Sequence, residues 1–140
     1  MLKKFYQITI FPYTLFLLYL MFFGMGRYQY DEHVIRIEPV YSTLAFINNT
    51  IRVWDILRVV IGNVVMFIPF GFLGWIFPKL KDFQSLIFTF VASIVIVEAM
   101  QYFTRLGIFE VDDILLNTFG VCIGYLICRF LEEKFSRLVL

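Results

Sequence analysis

Four long apolar stretches, residues 8–25, 56–77, 83–104 and 114–131, occupy more than half of the chain and limit what it can fold into. At about 1.5 Å per residue each reaches roughly 27 Å or more as an α-helix, close to the thickness of a bilayer's hydrocarbon core. A water-soluble fold of 140 residues has too little interior to hide them. With 61% hydrophobic and only 16% charged residues, the chain reads as an integral membrane protein. A net charge of +1, with no Lys/Arg block, excludes nucleic acid as a partner.

Lys3 and Lys4 lead into the first stretch. A cleavable signal peptide is the competing reading, but the run exceeds an h-region of about 7–15 residues. Gly26, Arg27 and Tyr28 follow it rather than a small-x-small site, so it is taken as a first transmembrane helix. The largest polar loop, 27–55, contains Leu44, Ile47, Ile51 and Trp54 at spacings of three and four. This pattern suits a short helix lying on the outer membrane surface, with a plain connecting loop as the alternative. His33 has no second His or Cys near it and reads as a solvated loop residue. Cys122 and Cys128, six residues apart on one helix, point in different directions and do not bridge.

Charge sets the orientation. Lys3, Lys4, Lys79, Lys81, Arg129, Lys134 and Arg137 fall on one side of the four helices against Asp82, Glu132 and Glu133, a net +4. Arg27, Arg36, Arg52, Arg58 and Arg105 fall on the other against seven acids, a net −2. The positive side is expected to be cytoplasmic, with both termini inside. Without repeats or flexible linkers, residues 1–140 form one domain, all-α and polytopic, with four transmembrane helices and a short outer interfacial helix.

Polar residues inside the apolar runs mark a candidate site. Glu98, Gln101 and Arg105 are three and four apart, on one face near the outer end of the third span. Asp113, Asn117, Gly120 and Gly124 repeat at four, three and four on the fourth, and Asn63 lies about two turns into the second. Glu98 sits about 10 Å below Arg105 and Asn117 about 6 Å below Asp113, which brings the polar groups to one depth. An ionisable group there costs a few kcal/mol unless it faces the bundle interior. Asn63, Glu98, Gln101, Arg105, Asp113 and Asn117 are therefore expected to share a pocket open to the outside. The competing role is helix-to-helix hydrogen bonding at about 0.6–2 kcal/mol each, with Gly120 and Gly124 as a small-xxx-small ridge. Asp113 reads equally well as an N-terminal helix cap.

These residues resemble the VanZ-like family of small membrane proteins. The matching motifs are Gly62-Asn63 followed by Phe67-Ile-Pro69-Phe-Gly71, then Glu98-Ala-Met-Gln101, then Asp113-Ile-Leu-Leu-Asn117-Thr-Phe-Gly120 with Gly124 a turn later. Three ordered motifs over roughly residues 35–126 are far more specific than any one, and Pro39 with Ser42 resembles an upstream Pro-containing segment. Pro69, Gly71, Gly120 and Gly124 are the signature's structural positions. Family members often place an Arg directly against Gly in the turn before the acidic motif, whereas Leu106 separates Arg105 from Gly107 here.

The resemblance implies a cell-membrane protein contributing to lipoglycopeptide (teicoplanin-type) resistance or envelope homeostasis. Its partners would be membrane lipids and a lipid-tailed glycopeptide or lipid-linked envelope precursor. The leading expectation is a binding protein. The alternatives are an enzyme on a lipid-linked intermediate, with Glu98 as acid/base and Asp113 orienting a nucleophile, and a transporter or accessory subunit. No cofactor is expected, and no metal, because Asp112, Asp113 and Glu98 offer only oxygen ligands.

Overall fold

The expected spans form helices wherever proline and glycine permit, and the departures from them shape the interior. A computed structural model describes residues 1–24, 28–38, 44, 48 and 53–137, apart from the side chains of 53, 55–59 and 135–137. Helix α1 runs over Leu2–Phe23, so Lys3 and Lys4 lie in its first turn rather than in a preceding tail. It is followed by strand β1, Ile35–Arg36. Helix α2 covers Val53–Phe67 and gives way to a 3₁₀ segment, Ile68–Trp75. A short 3₁₀ turn, Pro78–Lys81, leads into helix α3, Phe83–Thr104. Strand β2, Phe109–Glu110, then opens directly into helix α4, Val111–Arg137, which carries the charged tail as more helix.

Three of these helices are long and apolar enough to cross a membrane: Leu2–Phe23, Phe83–Thr104 and Val111–Lys134. The second expected span differs, since its apolar portion is the shorter Val60–Trp75 and its second half is 3₁₀. Pro69 accounts for the change: it has no N–H, and its ring collides with the carbonyl four residues back if the α-helix continues. A 3₁₀ run of eight residues exceeds the usual three or four. Partners hold it. Tyr6 and Tyr13 donate their hydroxyls to the carbonyls of Pro69 and Met66 at 2.8 and 2.7 Å, and Gln7 donates to that of Trp75 at 3.1 Å.

Close backbone approach fixes α4 against the α2/3₁₀ unit. A methyl added at Gly120 would strike the Val64 carbonyl oxygen; one at Gly124, that of Ile68; and one at Gly71, the Tyr125 amide nitrogen. All three are backbone atoms, unable to rotate away, so only glycine permits this spacing. Helix α4 also packs along α3 and so occupies the middle of the bundle. Leu17, Phe67, Leu86, Phe90, Ile94 and Val121 form the apolar core, with the Phe67 and Phe90 rings edge to face at 5.6 Å. Large apolar side chains such as Phe11, Phe16, Phe88, Phe103, Phe119 and Phe130 point outward instead, the arrangement a lipid solvent favours.

One feature is added to the expected helical bundle. Strands β1 and β2 form a two-residue parallel pair, with Ile35 opposite Phe109 and Arg36 opposite Glu110. The expected interfacial helix lies mostly outside the described residues, as do Pro39 and Ser42.

Candidate functional site

The buried face of α3 changes character along its length. Leu86, Phe90 and Ile94 recur every four residues and are followed on the same face by Glu98 and Gln101. One helix stripe thus carries the apolar core upward into a polar layer. On α4 the same layer holds Asp112, Asp113 and Asn117 just above Gly120. Glu98, Gln101, Asn117 and Asp112 are 1%, 3%, 2% and 5% exposed, so the layer is enclosed rather than an open outward pocket.

Each polar group ties two elements. Asn63 Nδ2 donates to Asp113 Oδ1 at 2.9 Å, joining α2 to the first turn of α4. Gln101 Nε2 donates to the Met21 carbonyl at 2.8 Å, joining α3 to the end of α1. Glu98 Oε2 accepts from the Glu110 backbone N–H at 3.4 Å, a long bond that sets a carboxylate against the entrance to α4. Asp112 and Asp113 lie in that helix's first turn, and all three acids sit where the macrodipole favours negative charge. Asp113 is thus inside the helix rather than its cap, since the helix begins at Val111. Asn117 differs from the rest: its Oδ1 is buried and has no hydrogen-bond partner among the described residues.

Arg105 joins a different structure. It terminates α3 in the left-handed conformation, with φ 58°, and its Nη1 donates to the Asp31 carbonyl at 3.1 Å. Residues 28–36 lie across that helix end and satisfy its last carbonyls. The His33 ring bonds to the Tyr102 carbonyl at 2.8 Å, Gln29 donates to that of Thr104 at 3.2 Å, and the Tyr30 N–H to that of Arg105 at 2.8 Å. Arg36 pairs with Glu110 at 3.0 Å beside the strand pair. His33 is exposed, as its reading as a solvated loop residue expects, and its ring also caps the carboxyl end of α3, which needs donors.

The structural positions meet as the motif spacing requires: Gly71 lies on Gly124 and Tyr125, and Gly120 on Val64. Sequence reading overlooked Tyr6 and Tyr13, although phenols seven residues apart on one helix face were a visible signal. No spacing marks Gln29, Tyr30 or Met21, because each acts through or upon backbone atoms.

Long apolar helices with outward aromatic side chains and an enclosed polar layer define a multi-pass membrane protein. The family model described as VanZ/LLP1 matches residues 10–132, and the chain belongs to this family. No similarity to a curated protein or to a solved structure was found.

Proposed function

We propose that the polar layer is the binding site for the head group of an amphiphile, either an acyl-tailed glycopeptide or an envelope lipid, contributing to lipoglycopeptide resistance or envelope homeostasis. The observation carrying this reading is Asn117, 2% exposed with Oδ1 unpartnered among the described residues, in the layer that also holds Glu98, Asp112 and Asp113. A buried amide oxygen without a donor costs about 1–3 kcal/mol, which a ligand hydroxyl or amine would recover.

In this reading the chain crosses the membrane four times with both termini cytoplasmic. Val60–Trp75 is short in residues, but eight α and eight 3₁₀ residues rise roughly 28 Å, enough to span the core. The basic end, with Lys3, Lys79, Lys81 and Arg129, then faces inward.

Helix-to-helix bonding is the second reading, favoured by the Asn63–Asp113 and Gln101–Met21 bonds. The Asn117→Ala variant separates the two. If Asn117 binds ligand, the variant stays folded and inserted but no longer alters lipoglycopeptide susceptibility in a host where the wild type does. Glu98→Gln, which keeps an acceptor for the Glu110 N–H, should behave alike. Unchanged susceptibility in both folded variants refutes the binding site.

A further inference from the structure

A cavity of about 400 Å³ opens between the first half of α1 and the 3₁₀ segment, at the end of the bundle opposite the polar layer. Leu2, Phe5, Ile10, Ile68, Phe72 and Leu131 are among its lining. Tyr6, Thr9 and Tyr13 also line it, but the hydroxyl of each donates within the protein, to Pro69, to Phe5 and Tyr6, and to Met66. Its walls therefore present apolar surface, and its volume lies within the range of ligand sites.

Charge at the rim identifies the rest of the occupant. Trp75, which lines the cavity, donates its indole N–H to Glu132 Oε1 at 2.9 Å. Lys3 Nζ lies 3.3 Å from the same oxygen and 5.6 Å from the centre of the Trp75 ring. Arg129 approaches Glu132 Oε2 at 3.6 Å, and Lys81 lines the adjoining hollow with Arg129 and Glu132. Lys3 and Arg129 thus flank one carboxylate, with Lys81 on the wall of the adjoining hollow. Lys3 and Arg129 remain 56% and 50% exposed, which leaves N–H groups free for an anion.

We propose that this groove is a binding site for an anionic phospholipid. One acyl chain lies between α1 and the 3₁₀ segment, and the phosphate sits among Lys3, Lys81 and Arg129. The site is separate from the polar layer and independent of the function proposed for it.

Trp75 provides the readout. The full chain carrying Trp54→Phe is reconstituted in phosphatidylcholine vesicles, and phosphatidylglycerol or phosphatidylcholine with the same brominated acyl chains is titrated in. Half-quenching of Trp75 should require about 25-fold less of the brominated anionic lipid, at roughly fivefold per charge for Lys3, Lys81 and Arg129 set against Glu132. Lys3→Gln should cut the preference about fivefold, and Lys3→Arg should keep it. A lone tryptophan at the outward position Phe88, made by Phe88→Trp with Trp54→Phe and Trp75→Phe, should show a ratio near one. Equal quenching of Trp75 by the two lipids overturns the proposal, as does an equal preference at position 88. A brominated diacylglycerol, which has the same chains and no charge, also overturns it if it matches the phosphatidylglycerol, because the chain alone would then suffice.

Discussion

Putting one methyl into two different glycine sites tests how the bundle is held. Gly62 and Gly124 both lie inside helices, where Gly→Ala ordinarily gains about 0.8–1.0 kcal/mol. At Gly62 the new methyl meets, among the described residues, only Met66 Cε, at 3.8 Å, so Gly62→Ala should stabilise the protein by about 1 kcal/mol. At Gly124 the same methyl strikes the Ile68 carbonyl oxygen, lies 2.9 Å from the carbonyl carbon and 3.2 Å from Gly71 Cα. Overpacking costs about 1–3 kcal/mol, and here the upper figure applies because the neighbours are backbone atoms with no alternative rotamer. The net effect of Gly124→Ala is a loss of about 2 kcal/mol, a gap of about 3 kcal/mol between the two variants. The assay is reversible unfolding of the purified chain in mixed micelles with increasing dodecyl sulfate, followed by circular dichroism. Two shifts of the same sign and size would refute close backbone contact as the fastening of α4.

Other expected outcomes follow from single bonds. A double-mutant cycle on Asn63→Ala and Asp113→Ala in the same unfolding assay should give a coupling of about 0.6–2 kcal/mol. Tyr6→Phe and Tyr13→Phe should each destabilise by a similar amount and raise amide exchange within Ile68–Trp75. The Ser85 N–H donates to Asp82 at 2.9 Å and holds that carboxyl below its ordinary value. The cap is therefore complete above the usual carboxylate pKa and is lost as pH falls through the lowered one, so the protection of the Ser85 amide, relative to its intrinsic exchange rate at each pH, should fall only in acid and be independent of pH in Asp82→Ala. Arg36→Ala removes an exposed ion pair worth at most about 1 kcal/mol, and should speed exchange at Phe109 without shifting global unfolding appreciably.

Where a single helix carries the information, the sequence was a sufficient guide. The third span has the bounds expected, 83–104, because Asp82 and the left-handed Arg105 end it on both sides. The glycine ridge was legible for the same reason, since spacing alone sets which residues share a face. Contacts between distant segments were not legible. Residues 28–36 carry no periodicity, and their bonds go to backbone carbonyls that every residue possesses. The burial of Glu98 and Asn117, expected to line an open pocket, is likewise set by packing between helices rather than by spacing along one. Arg105 was assigned to the pocket by its position on the helix face, yet the left-handed turn directs it to the Asp31 carbonyl.

The strand pair also imposes an order on biosynthesis. Arg36 and Glu110 are separated by 74 positions, so β1 leaves the ribosome long before its partner exists. At about 5–20 residues per second the delay is roughly 4–15 seconds, during which α2, the 3₁₀ segment and α3 are made while β1 has no strand to pair with. Completion of the strand pair is accordingly a late event, coincident with delivery of the last helix. A nascent chain halted before residue 109 would hold residues 29–33 by their bonds to the α3 end alone and leave Ile35 and Arg36 unpaired, a distinguishable and protease-accessible intermediate.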